Sequence, residues 1–319
     1  MRALVTGAAG FIGSTLSAAL LADGADVIGL DCFTDYYARS VKIANIAPFA
    51  KNARFQFVED RLQTADLGPL LDGVTHVFHL AAQAGVRGSW GPQFQTYTSH
   101  NVDATQRLLE ALKGRPISRL VYASSSSVYG DAAAIPMRED ERPQPVSPYG
   151  VTKLAAEHLC HLYFVNYGVP AVALRYFTVY GPRQRPDMGF HRFIRAAYEA
   201  APITLFGDGQ QTRDFTFVDD AVAATRAAGD RGRPGAVYNI GGGSRVSINE
   251  VLALIGRLTG RPLDIRRQPA EKGDMRDTFA DTSRARQDLA FSPAHALEDG
   301  LGAECEWLAH LLGVRTEVQ

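Results

Sequence analysis

Residues 4–13 read LVTGAAGFIG: a short apolar run, then glycines at 7, 10 and 13, then the amphipathic stretch Ser14–Ala22. Few folds accept this order. A strand that ends on a glycine-rich turn and feeds at once into a helix opens a βαβ unit. Gly7 permits a tight turn, Gly10 lets the backbone approach a pyrophosphate, and Gly13 lets helix pack closely on strand. The amides at the helix start, where the dipole favours anions, then form a phosphate site. The spacing is G-x-x-G-x-x-G, one residue longer than the common G-x-G-x-x-G.

The rest of the first half repeats the alternation. Strands are predicted at Ala3–Val5, Asp26–Leu30, Arg54–Val58, His76–Leu80, Leu120–Ser124 and Ala171–Tyr176. Helices are predicted at Ser14–Ala22, Asn101–Leu112 and Tyr149–Tyr167. Such alternation implies a parallel sheet covered on both faces, with ligands at the carboxyl ends of its strands. After residue 177 the pattern loosens, and glycine and proline punctuate GPRQRPDMG and FGDGQQTRD. The expected class is α/β, a Rossmann-type doubly wound parallel sheet with a smaller mixed α/β C-terminal substrate lobe. Residues 1–177 form the first lobe, with the chain returning to it around 213–240, and 178–319 form mainly the second.

Composition narrows the function classes. The 319 residues carry a net charge of -1 and are 46% hydrophobic, enough for a sizeable core and without the basic excess of a general nucleic-acid or membrane-surface binder. The three cysteines, Cys32, Cys160 and Cys305, are far apart and include no C-x-x-C pair, so neither a disulfide framework nor a metal site is expected. The start MRALVTG reads as a strand rather than a signal peptide, and no apolar run reaches spanning length. A cytoplasmic protein is expected.

Asp31 ends the second predicted strand. A carboxylate there accepts hydrogen bonds from adenosine ribose hydroxyls and repels a 2′-phosphate, which selects NAD over NADP. Asp60, after the third strand, meets the adenine or is an exposed loop carboxylate. Farther on, Ser124-Ser125-Ser126-Ser127-Val128-Tyr129-Gly130 ends a strand and precedes Tyr149-Gly-Val-Thr-Lys153. Ser147 and Pro148 suit a helix N-cap and first turn. Tyr149 and Lys153 then share one helical face. A phenol with a reference pKa of about 10 is a poor base at neutral pH, but a nearby ammonium and an oxidised nicotinamide both favour its phenolate.

Over essentially its full length the chain resembles the NAD-dependent epimerase/dehydratase family of extended short-chain dehydrogenases. The stretches that carry the resemblance are TGAAGFIG, HLAAQAGV, SSSSVYG, YGVTK, RYFTVYGPRQRPDM, GDGQQTRDFTFVDD and GDMRDTFADTSRA. It implies Tyr149 as catalytic base, Lys153 as its support and nicotinamide-ribose ligand, and Ser125 as the contact to the reacting sugar hydroxyl. It also implies a cofactor cradle of Gly7, Gly10, Phe11, Ile12 and Gly13, a cofactor-lining loop of Leu80, Ala81 and Ala82, and a structural role for Asn101. His79 and His100 are expected to be structural. A homodimer, through helices including Asn101–Leu112 and Tyr149–Tyr167, is what the resemblance implies.

Dehydratases and sugar-acid decarboxylases of this family usually carry an acid immediately before V-Y-G. Here Ser126 and Ser127 stand there, so reversible oxidation at C4, a 4-epimerisation, is the expected reaction. F-T-V-Y-G-P with R-P-D-M, and the D-Y-Y of FTDYYARSVKIANI, are most like UDP-glucuronate 4-epimerases. Ser126, Ser127 and Thr178 offer neutral donors to a uronate. Arg185 is either its bidentate partner or a solvated loop arginine beside Arg183. Arg213 and Arg276 resemble the family's diphosphate clamps, although the position where some relatives carry a clamping arginine is Glu271. Alternatives are a UDP-glucose or UDP-N-acetylhexosamine 4-epimerase, a UDP-glucuronate decarboxylase, or an NAD-sensing module without activity, against which the intact serine, tyrosine and lysine set argues.

Overall fold

The computed structural model describes residues 1–131, 134–269, 273 and 275–314. The six strands foreseen from the sequence are present: β1 (Arg2–Thr6), β2 (Asp26–Asp31), β3 (Phe55–Glu59), β4 (His76–His79), β5 (Arg119–Ser125) and β6 (Ala171–Tyr176). An edge strand, Val237–Ile240, joins them in one sheet ordered Val237–Ile240, β6, β5, β4, β1, β2, β3. Every neighbouring pair is parallel. Strand order reverses between β1 and β4, which opens a crevice at their carboxyl ends.

Because successive strand residues face opposite sides, the sheet divides its apolar side chains between two layers. Ala3 and Val5 of β1 join Leu16, Leu20, Ala221 and Ala228 of helices Phe11–Ala22 and Val218–Arg231. Leu4, between them, joins Leu108, Leu112, Ala156 and Cys160 of helices Ala104–Leu112 and Pro148–Tyr167. Both faces are therefore covered, and the strands read as nearly continuous apolar runs. No helix among the described residues is long and apolar enough to cross a membrane.

One helix differs from its prediction. The segment expected from Asn101 is α-helical only from Ala104, and Thr98–Asp103 forms a π-helical turn. Asn101 is buried in that wider turn, where its carboxamide accepts from Gln83 N at 2.7 Å and donates to Gln83 O at 3.1 Å and Thr152 Oγ1 at 2.9 Å. It thus ties the loop after β4 to helix Pro148–Tyr167.

Beyond β6 the chain builds smaller units. Ile203–Phe206 pairs in parallel with Ile265–Gln268, Thr212–Asp214 pairs antiparallel with Arg245–Ser247, and helices Gly189–Glu199, Ile248–Thr259 and Leu297–Leu312 pack around them. The chain returns to the main sheet through helix Val218–Arg231 and strand Val237–Ile240.

Helix Pro148–Tyr167 is fixed at three places. Ser147 caps its start by accepting from Gly150 N at 3.1 Å, Pro148 fills the first position, and Gly168 ends it at φ 68. In its middle, Glu157 accepts from Arg175 of β6 at 2.6 and 3.1 Å and from Ser124 of β5 at 2.6 Å. The two charged side chains of this pair are only 4% and 5% exposed. Removing one partner of a buried pair leaves the other charge uncompensated, at a cost of about 3–5 kcal/mol. Glu157→Ala is therefore expected to destabilise the protein by that amount in denaturant unfolding. A loss under about 1 kcal/mol, the scale of a surface pair, would contradict this reading of the anchor.

Candidate active site

Gly7 turns the chain at the end of β1 with φ +72, and a Cβ there would stand 2.8 Å from Ala81 N. A Cβ on Gly13 would stand 2.1 Å from Gly7 O, so any side chain would push helix Phe11–Ala22 off the turn. Gly10 precedes the helix without a side-chain cap, and no acidic residue occupies the first turn. The opening amides are thus left for an anionic ligand. Asp31 supports this loop from β2, accepting from Ala9 N at 3.1 Å and Phe33 N at 2.9 Å.

A cavity of about 490 Å³ begins at this loop and runs along the strand ends. It is lined by Gly7, Gly10, Phe11, Ile12, Gly13, Asp31 and Asp60 at one end and by Leu80, Ala81 and Ala82 along its wall. Ser125, Ser126, Ser127, Tyr149, Lys153, Thr178, Arg185 and Arg213 line the other end. The structure therefore brings together every site residue expected from the sequence except Arg276. The Arg276 side chain is 76% exposed and lies 4.0 Å from Asp277. It is its backbone that joins the site region, donating from N to Asp131 and accepting from Arg213. Arg213 also grips Met275 O at 2.6 Å, so its guanidinium braces the 275–276 backbone. Glu271 lies outside the described residues.

The electrostatics of Tyr149 differ from the sequence expectation. Its half-buried phenol is held above the ordinary phenol range by burial, against which the Arg185 charge and a hydrogen bond with Ser125 pull downward. The pull expected of Lys153 comes instead from Arg185, a residue 36 positions away in the chain. Lys153 Nζ lies 4.6 Å from the centre of the Tyr122 ring, and burial lowers its amine to about 8, with Cys160 and Glu157 opposing. Helical spacing put the two side chains on one face, but the fold decides which charges reach the phenol.

Arg185 is no solvated loop residue. Its Nε and Nη2 donate to the two carboxylate oxygens of Asp187 at 3.0 and 2.9 Å, with its side chain 21% exposed. Asp187 is also a cavity residue, as are Tyr36 and Tyr37. Tyr36 Oη donates to Asp187 at 3.2 Å. These three positions escaped the residue-level reading, although D-Y-Y and R-P-D-M flagged their segments. Lys42, Gln83 and Met188 line the cavity as well, each inside a quoted stretch but not itself named, and so does His100, which was expected to be structural.

A family model described as NAD dependent epimerase/dehydratase matches residues 3–241. A Bacillus subtilis (strain 168) protein named as the uncharacterized UDP-glucose epimerase YtcB is 47% identical over 98% of this chain and 99% of its own. The UDP-glucuronate 4-epimerase of Thermodesulfobacterium geofontis is 38% identical over 95% of each chain. The crystal structure of a Bacillus cereus UDP-glucuronic acid 4-epimerase, in complex with UDP-glucuronic acid and NAD, superposes with a TM-score of 0.95 at 46% identity, covering 98% of this chain and all of that one.

Beneath the cavity, His79 is buried with its ring nitrogens 2.7 Å from Thr6 Oγ1 and 2.9 Å from Thr105 Oγ1. Burial, then the Lys153 charge, lowers its pKa from 6.5 to about 3. Between those values the unfolded chain takes up a proton that the folded chain refuses, so this site's contribution to stability falls as pH falls through that window. His79→Gln is expected to lose stability at pH 7.5 through its disturbed hydroxyl contacts, yet to show a shallower further loss from about pH 6.5 downward. Urea midpoints measured across that range test this, and equal slopes in both proteins would assign the acid sensitivity to other groups.

Proposed function

The chain belongs to the NAD dependent epimerase/dehydratase family, and from this we infer that it is an NAD-dependent 4-epimerase interconverting UDP-glucuronate and UDP-galacturonate. The observation that carries this reading is a single cavity joining the glycine cradle to Ser125, Tyr149 and Lys153, with Thr178 and Arg185 beside them. The carboxylates among its described lining residues are Asp31, Asp60 and Asp187. The first two sit at the cradle end, and the third is held by Arg185. At the reacting end Ser126 and Ser127 therefore leave no free acid for elimination.

The cradle fits a dinucleotide, since Gly7 and Gly13 pack backbone against backbone and the helix start is uncapped. Asp31 favours ribose hydroxyls and disfavours a 2′-phosphate. When bound, NAD supplies the two-electron acceptor that takes hydrogen from sugar C4 and gives it back. Tyr149 Oη removes the proton from the C4 hydroxyl as the ketone forms and returns it after the sugar has turned its other face. Ser125 aligns that hydroxyl, and Arg185 and Ser125 favour the phenolate against burial. Lys153, with a pKa of about 8, holds or yields a proton near working pH beside the base.

A ketone at C4 lies beta to the uronate carboxylate, and such acids lose carbon dioxide when the breaking bond aligns with the ketone π system. Ser126, Ser127, Thr178 and Arg185 line the same cavity, and their proposed role is to hold the carboxylate out of that alignment with donors rather than an acid. A neutral-sugar reading has one observation in its favour, the Asp187 carboxylate already filling the Arg185 fork. The working form is proposed to be a homodimer joined through helices Ala104–Leu112 and Pro148–Tyr167, the latter exposing Val151, Leu162 and Val165 to between 46% and 63%.

Incubation with UDP-glucuronate, with products resolved by NMR, is expected to give UDP-galacturonate, and absence of turnover beside active UDP-glucose epimerisation would overturn the uronate assignment. Tyr149→Phe should retain the fold and lose about 10²–10⁴-fold in turnover, as general-base removal does. Retained activity would place the base elsewhere. Cofactor titration should show NAD bound far more tightly than NADP, and Asp31→Ala should narrow that gap. An unchanged preference in the variant would remove Asp31 from cofactor selection.

A further inference from the structure

Three loops distant in sequence meet over the reacting end of the cavity. The first brings Tyr36 from the segment after β2, the second Gly85 from the segment after β4, and the third Arg185 and Asp187 from the second half of the chain. Their packing is specific. A Cβ on Gly85 would stand 2.3 Å from Tyr36 Oη, so that phenol keeps its seat only because position 85 is glycine, here at φ +100. From that seat Tyr36 donates to Asp187 Oδ2, while its ring centre lies 5.9 Å from the Arg185 guanidinium carbon. Asp187 meanwhile accepts from Arg185 through both oxygens, the fork-on-fork geometry of a strong ion pair. Burial works against its charge, but Arg185 and the hydrogen bonds from Arg185 and Tyr36 keep its carboxyl below the ordinary range.

We propose that Asp187 is an internal stand-in for the substrate carboxylate, which must displace it from Arg185, and that Tyr36 holds Asp187 once displaced. This rests on the uronate reading above, and it assigns Asp187 and Tyr36 the setting of specificity. Asp187 holds the Nε and Nη2 donors, one of the two bidentate edges of the guanidinium, and the exchange requires the uronate to take that same edge, which both carboxylates cannot hold at once. An exchange costs less than a fresh desolvation, because the guanidinium is paired before and after. The same arrangement gives a neutral hexose a site with no orphaned guanidinium, which narrows discrimination between the two sugars.

Removing the stand-in and removing its resting place must then act in opposite directions. The test is calorimetric binding of UDP-glucuronate, UDP-glucose and UDP to NAD-loaded protein, in a Tyr149→Phe background that suppresses turnover, for the parent and with Asp187→Asn or Tyr36→Phe added. Asp187→Asn leaves Arg185 unpaired and should raise the affinity ratio of UDP-glucuronate over UDP-glucose about tenfold, the range of one charged hydrogen bond. Tyr36→Phe should lower the same ratio several-fold, and UDP affinity should change in neither. General damage to the loops would weaken both sugar nucleotides together. Ratios that stay within about twofold of the parent, or that move in one direction in both variants, would overturn the exchange. Should the Tyr149-intact enzyme turn over UDP-glucose and not UDP-glucuronate, the functional reading fails by itself, while the ratios still decide whether Asp187 competes for Arg185.

Discussion

The close approach of the Gly7 carbonyl to Gly13 is the constraint on which the rest of the site depends. No side chain fits between them, so the end of β1 and the start of helix Phe11–Ala22 are joined backbone to backbone. That contact lies where strand order reverses, and neighbouring strands deliver their groups to it. From β2, Asp31 braces Ala9 N. From β4, the chain continues into Leu80 and Ala81, whose amides bond Thr6 O and Thr6 Oγ1 at 3.2 Å. The same Thr6 hydroxyl faces the buried His79 ring. A dinucleotide cradle and a wall of the reaction chamber are thus one hydrogen-bonded unit.

The chemistry at the far end is a contest between burial and charge. Burial keeps Tyr149 protonated and pushes Lys153 toward neutrality, each favouring the uncharged form. At Tyr149 the opposing charge comes from outside its own helix, from Arg185, while at Lys153 burial is opposed by Cys160 and Glu157 of the same helix. The helix itself is held by Glu157, which Arg175 and Ser124 engage from two adjacent strands. Its position is therefore tied to the sheet, while its electrostatics are tied to a loop of the second half. Sheet and loop both reach the substrate cavity, and a ligand that shifts Arg185 changes a charge that acts on the base.

The pairing of Arg185 with Asp187 bears on which sugar the cavity accepts. It serves a neutral hexose as it stands and a uronate by exchange. Sugar preference in such a site depends on a difference between two carboxylates competing for one fork, rather than on the presence of a cation.

Local chemistry determined much from sequence alone. Apolar runs of strand length placed all six leading strands, because burial on both faces leaves a nearly continuous apolar run in the chain. The glycine triplet marked the cradle, because only glycine satisfies its sterics. Ser147, Pro148, Tyr149 and Lys153 were legible together, because a helix start and a four-residue spacing are local properties. Tertiary structure decided what sequence spacing cannot express. It turned the Arg276 side chain away from the cavity, laid Lys153 over Tyr122, gave Tyr149 an electrostatic partner in Arg185, and seated Tyr36 against Asp187. The physical reason is the same in each case. These contacts join segments separated by tens to more than a hundred residues, and such contacts depend on how loops close over the sheet rather than on any pattern along the chain.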